Sequence, residues 1–125
     1  ELKRDGDEVS RWNLLHPDKK ARQCHVTQCL ESTEGPVVAA TDYVKLFADQ
    51  IRAYVPRSYA VLGTDGFGRS DSREALRKHF EVDRYYITVA ALNALVGEGG
   101  ISAKTVKAAI KKYGIDSEKN NPLLS

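Results

Sequence analysis

The central part of the chain shows the clearest pattern of apolar and polar segments. Two short apolar runs, Val37–Ala40 and Tyr59–Leu62, are bounded by Gly, Pro or polar residues and predict two buried strands of a parallel sheet. Between them, Thr41 or Asp42 can cap a helix that Pro56 ends. Strand, helix and strand joined by short loops predict a βαβ unit. The apolar positions of the helix recur at helical spacing: Val44, Phe47, Ala48, Ile51 and Val55.

Short helices are predicted before this unit. Gly6 predicts the end of a first helix over residues 1–5, because glycine ends helices at the lowest conformational cost. Residues 7–15 have a second short helical pattern, which Pro17 ends. Residues 19–31 predict a polar helix that carries both cysteines.

The C-terminal part of the chain is also predicted to be helical. Asp83 can cap a helix whose apolar residues surround it almost completely, so we expect that helix to be deeply packed. Ser102 opens a last amphipathic helix, which Gly114 closes. The polar tail, residues 116–125, is expected to be loosely held.

Two strands are too few for the sheet that this pattern requires. Their apolar residues need cover on both faces, and a two-stranded parallel sheet is only marginally stable. We therefore expect residues 1–125 to form one partial α/β domain, whose first strands would lie before Glu1. The absence of methionine, including an initiator, favours a part of a larger protein.

Composition and charge exclude several classes of protein. Hydrophobic residues make up 42% of the chain and charged residues 29%, as in ordinary globular domains. The net charge of +2 is small and evenly mixed, which argues against nucleic acid or an anionic membrane as a partner. No apolar run is long enough to span a membrane and no signal peptide is visible. Two cysteines fit a reducing, cytoplasmic compartment.

A glycine-rich segment after the second strand is the strongest candidate for a site. It follows a strand and leads into a helix, an arrangement that can offer backbone N–H groups to a small anion or nucleotide. It is not the full dinucleotide-binding motif, so a structural turn that needs positive φ at its glycines is the main alternative. The candidate residues are Thr64, Asp65, Gly66, Phe67, Gly68, Arg69, Ser70 and Asp71.

The charged residues around this segment have structural interpretations as well. Asp65 and Asp71 could form an acid/base pair, but Asp71 and Glu74 also have the spacing of a helix capping box. Arg69 and Arg73 could hold a phosphate or a partner's carboxylate, and pairing with these three acids explains them equally well. No complete catalytic site is predicted.

The cysteines and histidines do not match a common metal site. Cys24, Cys29 and His25 lie close together and His16 precedes them, but the spacing is not that of a zinc site and there is no second Cys/His pair. Two small half-buried thiols on one helix are the expected arrangement. His79 has no serine or cysteine motif beside it, so we expect a surface histidine.

The longest informative stretch of the sequence is residues 61–73, which contains the glycine-rich segment. This stretch and several other contiguous segments resemble the homodimeric bacterial pyruvate dehydrogenases, the first component of the pyruvate dehydrogenase complex. The similarity extends over essentially the whole chain and is weakest across residues 18–34. The other segments are residues 11–17, 35–48, 79–83 and 121–123.

This resemblance implies a fold and a role. The fold would be the three-layer α/β/α C-terminal domain of the transketolase type, truncated at its first strands. The intact enzyme of this family is a homodimer that decarboxylates pyruvate with thiamine diphosphate and magnesium and acetylates lipoyl groups of dihydrolipoyl acetyltransferase. The family's cofactor ligands and catalytic residues lie in earlier domains, so the resemblance implies subunit assembly for this chain, with no cofactor bound to it.

Two further hypotheses remain open. The chain could be a regulatory module that binds a small anion or nucleotide through residues 63–71. It could also belong to another transketolase-superfamily enzyme, which would share the fold but not the long similarity around Asp65.

Overall fold

The computed structural model describes residues 1–65 and 71–124. This part of the chain contains six α-helices and two β-strands, with two short 3₁₀ segments at Arg52–Tyr54 and Pro122–Leu124. The strands are β1 (Val37–Ala40) and β2 (Tyr59–Leu62). The helices are α1 (Leu2–Leu15), α2 (His25–Glu31), α3 (Lys45–Asp49), α4 (Arg73–His79), α5 (Arg84–Gly97) and α6 (Ala103–Lys112).

The two predicted strands form a parallel pair, so the predicted α/β class is confirmed. Val37 lies opposite Tyr59 and Ala40 lies opposite Leu62. The pairing extends past both strand ends, where the amide of Val37 donates to the carbonyl of Ser58 at 2.8 Å. The strands are half-buried and Ala40 is exposed, so the expectation of fully buried strands is wrong within this chain.

The helices pack on the sheet and on each other. Helix α5 contacts both strands, α6 packs on α5, α3 contacts β2, and α1 contacts α2. Asp83 caps α5 as predicted, because its carboxylate accepts the amides of Tyr85 and Tyr86. No residue of α5 is fully buried, so the expected deep packing of this helix is wrong.

Gly6 does not end a helix. Helix α1 continues through it to Leu15, and the aromatic ring of Tyr54 lies directly against the helix backbone at this point. A Cβ added to Gly6 would lie 2.3 Å from the Tyr54 ring. The Tyr54 hydroxyl also donates to the carboxylate of Asp7, the residue that follows Gly6. Glycine at this position provides the space for the Tyr54 ring. A rule that reads glycine as the end of a helix considers only neighbouring residues and does not detect this contact.

The helix predicted over residues 19–31 is shorter, since α2 begins at His25. Asn13 holds the preceding segment in a non-helical course: its side chain accepts the amide of Arg22 at 2.8 Å and donates to the carbonyl of Arg22 at 2.9 Å. The Arg22 guanidinium lies 3.6 Å from the ring centre of Trp12, and the imidazole of His16 stacks on the same indole at 4.2 Å. These contacts close the loop between α1 and α2.

The helix predicted between the strands is also interrupted. Helix α3 has five residues and begins after Val44, and a separate 3₁₀ turn follows at Arg52–Tyr54. Neither Thr41 nor Asp42 caps it; the Thr41 hydroxyl instead accepts the amide of Tyr43.

The C-terminal tail is anchored, contrary to the prediction that it is loosely held. The ammonium group of Lys119 donates to the carbonyl of His79 at 2.8 Å and pairs with the carboxylate of Glu81 at 3.3 Å. Glu81 follows α4 with a φ of 63°, a left-handed conformation that is uncommon for a residue with a side chain. Pro122 is buried.

A large surface remains uncovered. The chain exposes 9004 Å², whereas a compact monomer of its mass exposes about 6,700 Å². No helix in residues 1–65 and 71–124 is long and apolar enough to cross a membrane. The exposed large apolar side chains belong to α1, to the segment around α3 and to the tail: Leu2, Leu14, Leu15, Tyr43, Val44, Leu46, Phe47 and Leu123.

We expect Gly6→Ala to lower the stability of the chain, because the new methyl group overlaps the Tyr54 ring. Overpacking of this kind costs about 1–3 kcal/mol. Urea unfolding followed by circular dichroism measures the change. Gly97→Ala is the matched control, since a Cβ at this helical glycine meets no atom within 4 Å. If both variants were equally stable, the contact between Gly6 and Tyr54 would not limit residue size at position 6.

Candidate functional site

The residues directly after β2 form hydrogen bonds with the residues that follow β1. The amide of Thr64 donates to the carbonyl of Tyr43 at 2.8 Å, and the Thr64 hydroxyl donates to the carbonyl of Asp42 at 2.9 Å. The Asp65 carboxylate accepts the amide of Lys45, the first residue of α3, at 2.8 Å. Two of the predicted site residues, Thr64 and Asp65, therefore make structural hydrogen bonds at the carboxyl end of the sheet.

Gly63 is required here for close approach. An added Cβ would lie 2.8 Å from the carbonyl oxygen of Tyr43 and 2.8 Å from the amide nitrogen of Lys45. Its φ is not in the positive region, so the predicted need for positive φ is wrong at this glycine. A glycine directly after a strand was the signal in the sequence, and it identified the right position. The physical reason is the close approach of the backbone, whereas the expected reason was a positive φ.

The capping residue of α4 is Ser72. Its hydroxyl accepts the amide of Ala75 at 3.2 Å, while the Asp71 carboxylate accepts the amide of Ser72 at 2.8 Å. The capping box predicted for Asp71 and Glu74 is therefore wrong by one position. The hydrogen bonds of Asp65 and Asp71 go to separate backbone amides and do not join the two carboxylates, so no acid/base pair is formed by these bonds.

The other predicted site residues, Gly66, Phe67, Gly68, Arg69 and Ser70, lie outside the described residues. The small-anion or nucleotide site proposed for residues 64–71 stays a prediction.

An open cleft of about 770 Å³ lies beside these residues, at the carboxyl end of β1. Its charged side chains come from the end of β1, from α4 and from the start of α5. Arg77 pairs with Asp42, with Nη2 at 3.1 Å and Nε at 3.4 Å from the two carboxylate oxygens. The lining residues include Thr41, Asp42, Arg73, Glu74, Arg77, Val82, Asp83, Arg84 and Tyr85.

The charges of this cleft are only partly paired. The Asp83 carboxylate is engaged by the amides that it caps, and the Asp42 carboxylate by Arg77. Arg84 donates to the hydroxyl of Tyr85 at 2.9 Å, and this hydrogen bond raises the pKa of Arg84. Within residues 1–65 and 71–124, neither Arg73 nor Arg84 makes an ion pair with a carboxylate. The predicted pairing of Arg73 with nearby acids is therefore not formed among the described residues.

Sequence reasoning missed the Arg77–Asp42 pair. The two residues are 35 positions apart, and only the return of the chain through β2 brings α4 to the end of β1. The pair holds the pKa of the Asp42 carboxyl below its ordinary value, chiefly through the hydrogen bond from Arg77.

The cysteines and histidines do not converge on one point. The Cys24 thiol is buried and lies 3.1 Å from the Thr27 hydroxyl, whereas the exposed Cys29 thiol lies 3.4 Å from Nε2 of His25. His16 contacts the Trp12 indole and its carbonyl. No group of three or more His, Cys, Asp or Glu in the described part of the chain is placed to hold a metal ion.

Comparison with known proteins decides the family. Residues 9–83, more than half of the chain, match the family described as the transketolase-like TK C-terminal domain. The chain belongs to this family. The predicted fold, including its C-terminal-domain type, is thereby confirmed.

Three curated relatives are named "Pyruvate dehydrogenase E1 component". The protein from Cupriavidus necator is 59% identical over 123 residues, and that from Pseudomonas aeruginosa is 60% identical over 124 residues; each alignment covers 98% of this chain. The Escherichia coli (strain K12) protein is 55% identical over 126 residues, covering all of this chain. The chain spans about 14% of the length of these relatives. The predicted resemblance to bacterial pyruvate dehydrogenases is confirmed.

We expect Asp42→Asn to lower stability at neutral pH and to have little effect in acid. Because the folded-state pKa of Asp42 is depressed, the pair stabilises the fold fully above the ordinary pKa of 3.8 and is lost as the pH falls through the lower folded value. The pair is largely exposed, so its contribution is about 0–1 kcal/mol. Urea unfolding between pH 2 and pH 7 measures it.

The control for this experiment is Asp18→Asn. Asp18 is exposed and its side chain makes no hydrogen bond within the ranges that the structure covers. An equal loss of stability in both variants, or a loss in Asp42→Asn that is as large at pH 2 as at pH 7, would contradict the assignment to the Arg77–Asp42 pair.

Proposed function

We propose that this chain is the C-terminal, transketolase-like part of the first component of a pyruvate dehydrogenase complex. The observation that carries the proposal is the identity of 55–60% to relatives of that name over 98% or more of the chain. The full-length polypeptide that would contain this chain is called the longer subunit below. Its activity would be the oxidative decarboxylation of pyruvate and the acetylation of lipoyl groups of dihydrolipoyl acetyltransferase.

Within the longer subunit, this part has a structural role in assembly. The described candidate residues support this role, because Thr64, Asp65 and Asp71 bind backbone groups and stabilise the ends of strands and helices. The exposed surface supports it too, since it exceeds that of a compact monomer by about 2,300 Å². We propose a homodimeric, cytoplasmic enzyme.

The cofactors of the longer subunit would be thiamine diphosphate and magnesium. The described residues do not fit this role, because magnesium requires a set of oxygen ligands and no cluster of carboxylates of that kind occurs among them. We therefore assign magnesium to other parts of the longer subunit, propose the same for the thiamine diphosphate bound with it, and derive no catalytic step for this chain.

Pyruvate-dependent decarboxylation, assayed with thiamine diphosphate and magnesium, tests the proposal. We expect activity from the longer subunit and none from the 125-residue chain. We also expect the longer subunit without these residues to lose activity together with its dimeric state, measured by sedimentation. Activity in the isolated chain, or an active dimer without these residues, would contradict the structural role.

The arginine-lined cleft favours a second candidate function, the binding of a small anion. Arg73 and Arg84 face this cleft, and neither makes an ion pair with a carboxylate in the described part of the chain. The carboxylates of Asp42, Glu74 and Asp83 line the same cleft. Guanidinium groups bind phosphate strongly. The cleft lies outside the carboxyl end of β1, where open parallel sheets bind ligands.

Calorimetric titration with pyrophosphate tests the second function. We expect Arg73→Gln to weaken binding by about tenfold through loss of one charge-assisted hydrogen bond. Lys104→Gln, at an exposed position on α6 away from the cleft, is the charge-matched control. If no heat is detected at millimolar pyrophosphate, or if both variants weaken binding equally, the cleft is not an anion site.

A further inference from the structure

Helices α4, α5 and α6 end in the same backbone motif. The second residue after each helix has a left-handed backbone, with φ of 63° at Glu81, 79° at Gly99 and 66° at Gly114. The amide that follows each of them donates to the carbonyl five residues before it, which satisfies one of the last carbonyls of the helix. These bonds join Val82 to Arg77, Gly100 to Leu95 and Ile115 to Ile110.

Glu81 is the exception among these helix ends. At every other position of residues 1–65 and 71–124 that has a positive φ, the residue is glycine. A side chain makes this conformation unfavourable, because its Cβ lies too close to the following carbonyl oxygen. A carboxylate is unfavourable for a second reason, since the last carbonyls of a helix carry partial negative charge. The local rules therefore favour glycine at position 81, and they leave the glutamate unexplained.

The contact of Glu81 with Lys119 of the C-terminal tail explains the glutamate. The Lys119 ammonium lies 3.3 Å from the Glu81 carboxylate and donates to the carbonyl of His79, the last residue of α4, at 2.8 Å. A cation at this point offsets both the carboxylate and the partial negative charge of the helix end. Both side chains are half-buried, so solvent screens this pair less than a fully exposed one.

The tail has a second attachment beside the first. The ring of Tyr113, where α6 ends, lies 5.0 Å from the ring of Tyr85 in the first turn of α5. Tyr85 lines the cleft that contains the arginines. The residues that directly follow Glu81 line the same cleft: Val82, Asp83 and Arg84. The two attachments of the tail therefore flank one wall of this cleft.

We propose that the C-terminal tail is a strap that positions this wall of the cleft, and that Glu81 and Lys119 are the positioning residues that attach it. Glycine at position 81 would end α4 at lower cost, but it would leave the turn before α5 without its bond to the tail. Asp83 caps α5 and Arg84 begins it, so a fixed turn also fixes the start of the helix that carries Arg84 into the cleft. The effect of the strap on a ligand rests on the second candidate function, anion binding in the cleft.

Hydrogen exchange measured by mass spectrometry tests the attachment, in the 125-residue chain and in the longer subunit. We expect Lys119→Met to speed exchange about fivefold in residues 80–86 and 116–124, because both segments lose their shared contact. The strands β1 and β2 keep their exchange rates. Lys112→Met is the matched control, since Lys112 is exposed and makes no ion pair in the described ranges.

Two results of this measurement would overturn the proposal. One is unchanged exchange in residues 80–86 of the Lys119→Met variant. The other is an equal rise in exchange over the whole chain, which would show a loss of overall stability without local positioning. Should the isolated chain not fold, the measurement in the longer subunit decides.

A double-mutant cycle isolates the role of the glutamate. Glu81→Gly removes backbone strain in either setting, but in the unmodified chain it also removes the partner of Lys119. We expect Glu81→Gly to raise the ratio of folded to unfolded chain about threefold in the Lys119→Met background. In the unmodified chain we expect the effect to be about fivefold less favourable. Urea unfolding measures both effects, and equal gains in the two backgrounds would contradict the pairing.

Pyrophosphate titration of the 125-residue chain tests the effect on the cleft. Glu81→Gln removes a negative charge, which by itself would strengthen anion binding, whereas loss of the strap would weaken it. We expect binding about threefold weaker, because Arg84 is no longer held in place. Stronger binding would contradict the positioning role. Absence of heat with the unmodified chain would count against the second candidate function, and hydrogen exchange would then decide the strap.

Discussion

The close approach of two backbone segments at Gly63 is the constraint on which the carboxyl end of the sheet depends. A pair of four-residue parallel strands is a marginal structure by itself. Here the pairing continues past the strands, because Gly63 lets the chain after β2 run against Tyr43 and Lys45 without steric overlap. The hydrogen bonds from Thr64 to Tyr43 and from Lys45 to Asp65 then join both strand ends to the start of α3. The same geometry sets the position of Asp42 in the cleft.

This constraint explains why residues with catalytic potential have structural roles. A carboxylate that accepts a backbone amide stabilises a loop most effectively when it remains ionised and fixed, and a general acid or base must exchange its proton. Asp65 and Asp71 each accept a backbone amide. Asp42 differs from them, because its partner is the guanidinium of Arg77, which lies across the cleft on another element. Residues of catalytic type in a glycine-rich motif are therefore not sufficient evidence that the motif catalyses a reaction.

The sequence predicted the features that depend on local rules. The strands β1 and β2 begin and end where their apolar runs do, and Asp83 caps α5. The features it did not predict depend on contacts between distant residues. Gly6 matched the signal for a helix end, although its lack of a side chain serves the ring of Tyr54, 48 positions away. Long-range packing of this kind overrides helix propensities and has no local signature.

The partial burial of α5 indicates a property of the described part of the chain. Apolar residues all round a helix indicate a helix that is covered on all sides, yet no residue of α5 is fully buried here. No side chain in the described residues is less than 2% exposed, so the chain lacks the fully buried centre of a self-sufficient domain. Further polypeptide packed over α5 would cover this apolar surface, as happens for a domain inside a larger subunit.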